Sequence, residues 1–153
     1  MKQVLLMFMI SMLWVSSSLA RVGQEGHGGD IVVSEFFGLA EEILESFKEL
    51  PSKDLPSEDF VALFSESLEK VEVTSLDRVK LGDTEVDAIN FPDIDEPKIL
   101  LGRERWLDPR ITMDMRKQLI IHEFLSIMGF DDKYYRLSHR LKQLISKPSI
   151  RPN

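Results

Sequence analysis

The stretch VEVTSLDRVKLGDTEVDAINF, residues 71–91, decides the fold class. Residues 71–75 and 78–81 alternate apolar and polar, Gly82-Asp83 turns the chain, and residues 84–91 alternate again. That is the period-2 signature of half-buried strands joined by a tight turn. Beyond the acidic loop from Pro92 to Pro97, Ile99-Leu100-Leu101 reads as a further short strand. On both sides the apolar period lengthens to that of a helix. Upstream, Phe36, Leu39, Ala40, Ile43, Phe47 and Leu50 mark an amphipathic helix over 34–50, with Ser34 as N-cap and Pro51 as its stop. A second helix is expected from Ser57, after Pro56, with Phe60, Leu63, Phe64, Leu68 and Val71 on its buried stripe. Downstream, a helix is expected from the N-cap Thr112 to Met128, closed by Gly129 in a left-handed C-cap. The loop FDDKYY then leads to a basic helix over about 137–146, and Pro148 and Pro152 fray the end. Helices that flank the strands, instead of alternating with them, predict an α+β fold. It has two N-terminal helices, a small and mostly antiparallel sheet, a buried helix, and a final basic helix.

The chain has 153 residues, so residues 34–147 are read as one domain followed by a frayed tail over 148–153. It contains no cysteine, which excludes disulfides, thiolate zinc sites and cysteine nucleophiles. A formal charge of -7 argues against nucleic acid as a partner. The charge is uneven. Residues 24–98 carry 20 acids and 6 bases, whereas residues 99–153 carry 6 acids and 11 bases. The basic end, from Lys133 on, is expected to pack against the chain's own acidic half; the alternative is a membrane surface or an anionic polymer.

The first twenty residues, MKQVLLMFMISMLWVSSSLA, read as a signal peptide. Lys2 precedes an apolar run from Val4 to Val15, and Ser18 and Ala20 occupy the small-residue positions before a cleavage between Ala20 and Arg21. The run is short of the ~20 residues of a comfortable membrane span, so no span is expected after cleavage. A secreted or periplasmic location follows. Residues 21–33 are read as a flexible, Gly-rich lead-in containing a solvated His27. No strand precedes these glycines, so they lack the context of a phosphate cradle.

Chemistry concentrates in HEFLSIMGFDD, residues 122–132. At 100° per residue, Met115, Leu119 and Ser126 lie near His122, Glu123 lies between Leu119 and Ile127, and Ile120, Phe124 and Met113 fill the far side. Such a helix, apolar nearly all round, is expected to be buried. A His-Glu pair within it must then find partners or shift its ionisation. The segment resembles the active helix of zinc metallopeptidases, H-E-x-x-H-x-x-G with a third ligand ten residues after the first. His122, Glu123, Gly129 and Asp132 occupy four of those positions, but Ser126 stands where the second His belongs. Three readings stay open. One is a structural network of His122, Glu123, Ser126, Asp131, Tyr135, Arg136 and Ser138, in which Glu123 and Asp131 or Asp132 hold the last segment through Arg136 or Arg140. Another is a zincin-like fold without catalysis. The third is a zinc site of His122, Asp132 and His139, with Glu123 as general base. Trp106 is expected to close the core behind a strand, with an exposed sugar-stacking role as the alternative. Of Tyr134 and Tyr135, one is expected buried and one exposed. Neither a G-x-S-x-G nor a Walker motif occurs.

The order of GHGGD (26–30), VDAINFP (86–92), ILLGRERW (99–106) and LIIHEFLSIMGFDDKYYRLS (119–138) resembles a family of secreted proteins of predatory and related Gram-negative bacteria. Its members read H-E-[YF]-L-x-x-x-G-x-D-D-x-x-Y-x-x-S, matched here by His122, Glu123, Phe124, Leu125, Gly129, Asp131, Asp132, Tyr135 and Ser138. The resemblance implies export and a shared fold, supplies no activity, and makes the missing second His a habit of the family. The expected function is that of a non-catalytic envelope or secreted accessory protein, without cofactor, that binds a protein or envelope polymer. The alternatives are a zinc-dependent hydrolase of peptide or peptidoglycan bonds and an inhibitor of an exported hydrolase.

Overall fold

The computed structural model describes residues 30–93 and 95–146. The segment expected to be a signal peptide, the expected cleavage between Ala20 and Arg21, His27 and the expected tail over 148–153 lie outside the described residues. The chain is α+β. In order it forms α1 (Ile31–Lys48), a 3-10 turn (Ser52–Asp54), α2 (Phe60–Lys70), β1 (Glu72–Leu76), β2 (Val79–Leu81), β3 (Thr84–Val86), β4 (Ala88–Phe91), β5 (Lys98–Gly102), the one-turn α3 (Arg103–Trp106), α4 (Met113–Ile127), a second 3-10 turn (Lys133–Tyr135) and α5 (Arg136–Ser146).

The strands make a three-stranded sheet in the order β1-β5-β4 and a separate β2-β3 hairpin. β5 runs parallel to β1, with Val73 opposite Ile99, and antiparallel to β4, with Asn90 opposite Ile99. The alternation over 84–91 therefore does not form one strand. At Asp87 the chain leaves the hairpin and joins the other sheet, and the Gly102 amide donates to the Asp87 carbonyl at 2.9 Å. Glycine suits this close approach, because a Cβ on Gly102 would sit a tight 3.2 Å from the Val86 carbonyl oxygen. Gly82, at φ +62, makes the β2-β3 turn that the Gly-Asp pair predicts.

α1 starts at Ile31, so the lead-in ends at Asp30. The N-cap is Asp30 and not Ser34: its carboxylate accepts from the Val32 and Val33 amides. It also binds the Ser75 hydroxyl and pairs with Arg103 at 2.8 Å, fastening the helix to β1 and α3. These partners hold the Asp30 carboxyl below its ordinary range although burial pushes it up. α2 starts at Phe60 and not Ser57, because residues 57–59 are spent in a turn that the Phe60 amide closes on the Ser57 carbonyl.

The core lies between the helices and the inner face of the sheet. Phe36, Phe47, Phe60, Phe64 and Phe124 are fully buried there. Phe124 stacks on Phe64 with centroids 4.5 Å apart, and Phe47 meets Phe60 and Phe64 edge-on at 5.2 and 5.3 Å. Trp106 closes this core as expected, donating its indole N–H to Glu35. α4 is capped by Thr112 and ends in Gly129 at φ +79, where the Phe130 amide reaches back to the Leu125 carbonyl. It is not buried all round, however. Ile120, Ile121, Glu123, Phe124 and Leu125 are buried, while Met113 and Met115 are half exposed.

The acidic and basic halves do meet, but through residues 103–117 more than through the tail. Arg116 pairs with Glu35 at 2.6 Å, Lys117 with Glu42 at 3.0 Å, and Arg105 with Asp87. From α5, Arg140 donates to the Asp54 carbonyl, and Lys142 reaches Asp114 at 3.4 Å.

Candidate functional site

The half-exposed face of α4 carries the site. Met115, Gln118, Leu119 and His122 recur at helical spacing, and all line a continuous cleft that divides into two chambers. The larger, of about 430 Å³, is bounded by β4 residues Ala88 to Asn90 and by His122, Glu123 and Tyr135. The smaller, of about 190 Å³, is bounded by Trp106, Ile111, Met115 and Leu119. Asp87, Arg105 and Tyr135 border both chambers.

His122 is held from behind. Its Nδ1–H donates to Asp132 Oδ2 at 2.8 Å, and its ring stacks on Tyr135 with centroids 4.0 Å apart. Burial pushes the Asp132 carboxyl up, but hydrogen bonds from Ser138, His122 and the Leu137 amide more than offset this and hold it below its ordinary range. Asp132 is therefore an acceptor at neutral pH, which places a proton on Nδ1 and leaves Nε2 as the ring nitrogen not taken by Asp132. Asp132 Oδ1 takes the Leu137 amide at 2.7 Å and the Ser138 amide at 3.1 Å. One carboxylate thus orients the His ring and anchors the start of α5.

Glu123 belongs to a second network. It is 3% exposed, and the Asn90 side-chain amide donates to its carboxyl. The Ser126 hydroxyl donates to Asn90 Oδ1 at 3.0 Å. Burial pushes the Glu123 carboxyl above the ordinary carboxylate range; Asp87 adds to the rise, while Asn90 and His122 oppose it. The turn between α4 and α5 is strained, with Tyr134 and Tyr135 both in the left-handed region at φ 59 and 58. At a non-glycine residue this costs on the order of 1 kcal/mol or more each.

The expected network is thus partly assembled and partly corrected. His122 meets Asp132 and Tyr135, the Ser138 hydroxyl donates to the Tyr135 carbonyl at 3.3 Å, and Glu123 meets Ser126 through Asn90. Asp131 does not join it but takes the Lys133 amide in an exposed turn. Arg136 is exposed and Arg140 goes to the Asp54 carbonyl, so Asp132 holds the last segment through backbone amides and not through either arginine. Tyr134 and Tyr135 are both exposed, at 77% and 41%, so the pair does not split into one buried and one exposed. Sequence reasoning missed Asn90, Asp87 and Arg105. Asn90 had a signal: it shares strand parity with Ala88 and opposes the core residue Ile99, so a polar side chain there needs an inward partner.

The donor set does not suit a hydrolytic zinc, which takes three protein ligands. His122 offers one nitrogen, both Asp132 oxygens are engaged, and Ser126 serves Asn90. His139 lies among Gln118 and Gln143, at 3.5 and 2.9 Å. Among the described residues no three His, Asp or Glu side chains converge on a metal position. No protein-family model, curated protein or solved structure matches this chain.

Proposed function

We propose that the chain is an exported, non-catalytic binding protein whose ligand seats in the cleft along α4. Export is read from Lys2, the apolar run to Val15 and the small residues before Arg21. The observation that carries the binding reading is a pre-organised polar chamber beside a mainly apolar one. His122 offers a ring edge whose orientation is fixed by Asp132, and Glu123 and Asn90 stand beside it already hydrogen-bonded. Polar groups so held need no rearrangement to receive a ligand, and the adjoining Trp106–Met115 chamber supplies apolar area. Among the described residues no helix is long and apolar enough to cross a membrane.

The test is a titration of the purified exported chain with two probes, soluble peptidoglycan fragments and a digest of envelope protein. Binding is followed by NMR and ligand integrity by mass spectrometry. Expected are shifts centred on Asn90, His122 and Leu119, with ligands recovered intact and binding weakened about tenfold by Asn90→Ala. Cleavage that disappears in Glu123→Gln would overturn the proposal in favour of an enzyme.

A further inference from the structure

The main chain of β4 narrows the ligand chemistry of this cleft. The Gly102 amide is bound to the Asp87 carbonyl, and Ala88 and Asn90 stand opposite Leu101 and Ile99. Hydrogen-bonded and non-hydrogen-bonded pairs alternate along an antiparallel ladder. Ile89 and Phe91 therefore turn their amides and carbonyls toward β5, while Ala88 and Asn90 turn theirs away. β4 is the outer strand of its sheet, and this edge runs along the cleft. The cleft wall thus presents donors and acceptors at strand spacing, the complement of a second extended main chain. A glycan presents hydroxyls without that repeat.

The dimensions agree. From Met115 to His122 the α4 face is about 10 Å long, room for about three residues of extended peptide. The Trp106–Met115 chamber, at about 190 Å³, suits one aliphatic side chain. At the rim, Arg105 is paired with Asp87, and Glu85 stands opposite Lys80 in the hairpin, so the chain's own cations already answer both carboxylates.

We propose that the open edge of β4 captures an extended peptide segment of a partner protein as an added strand. The segment pairs with the main chain of Ala88 and Asn90, with an aliphatic side chain between Trp106 and Met115. This rests on the reading of the cleft as a ligand site.

The probe is a positional-scanning library of blocked pentapeptides titrated onto the purified exported chain. An aliphatic residue should be selected at one position. N-methylation of alternate amides in the tightest peptide should weaken it about tenfold, and its binding should slow amide exchange at Ala88 and Asn90. Ala88→Pro, which removes an N–H facing the open edge and none from the β4-β5 ladder, should match that loss at unchanged melting temperature. A peptide indifferent to N-methylation, or a library without a binder below about 1 mM, would overturn the proposal. Should peptidoglycan fragments bind the cleft while the library does not, the strand proposal fails and the cleft remains a ligand site; if neither binds, both fail.

Discussion

Asp132 binds His122 with one carboxylate oxygen and the first amides of α5 with the other. The orientation of the ring that floors the cleft and the docking of the last helix therefore depend on one buried group. This coupling explains how a short loop after α4 can set both the site and the C-terminal packing.

Replacing Asp132 by Ala should lower stability by about 1–3 kcal/mol, the cost of leaving buried amides and a ring N–H without their charged acceptor. Its folded pKa is depressed, so the stability it contributes is present above the unfolded carboxylate value and lost as pH falls through the folded one. Chemical denaturation of wild type and Asp132→Ala across the acid range checks this. The two curves should converge at low pH.

Glu123 has the opposite sign. Its folded pKa is raised, so its favourable contribution is present below the unfolded value and lost as pH rises through the folded one. Glu123→Gln keeps the acceptor for Asn90 and removes the titration. The variant should gain on wild type as pH rises from 4 to 8, read from denaturant midpoints. A variant less stable than wild type by the same amount at every pH would refute the burial argument.

Asn90→Ala strands both Glu123 and Ser126 and should cost about 1–3 kcal/mol. Because the Ser126 hydroxyl bonds only to Asn90 among the described residues, Ser126→Ala should cost less in that background than in wild type. A double-mutant cycle measures the coupling, expected at about 0.5 kcal/mol or above.

The strained turn offers a test of a different kind. Tyr134 is 77% exposed and held at φ 59, so Tyr134→Gly should raise stability by up to about 1 kcal/mol where an exposed aromatic loss is ordinarily neutral. Tyr135→Gly should not gain in the same way, since it also removes the ring stacked on His122. Thermal melts of the two variants decide it.

Local signals made much of this fold legible. The change of period at residue 71, the Gly82 turn, the Thr112 and Gly129 caps and the buried Trp106 all rest on nearest-neighbour chemistry. Partners distant along the chain were not legible. Nothing local distinguishes Asp30 from Ser34 as a cap, since Ile31-Val32-Val33 suits a strand as well as a helix until Ser75 and Arg103 bind the Asp30 carboxylate. The parallel pairing of β1 with β5 and the break at Asp87 are likewise set by tertiary contacts. In the site, spacing placed His122 and Glu123 side by side. Glu123 turned out to take an amide 33 residues away, and Asp132 to take backbone N–H groups, where the sequence had suggested arginines.

Elemental analysis of the mature chain, purified without an affinity tag and dialysed against a weak chelator, tests most directly whether His122, Asp132 and Glu123 serve a ligand cleft and not a hydrolytic metal centre. The expected result is no stoichiometric zinc, with His122→Ala lowering the melting temperature alone. About one zinc per chain, lost in both His122→Ala and Asp132→Ala, would contradict the account, because it would make Asp132 a ligand and not the anchor of α5.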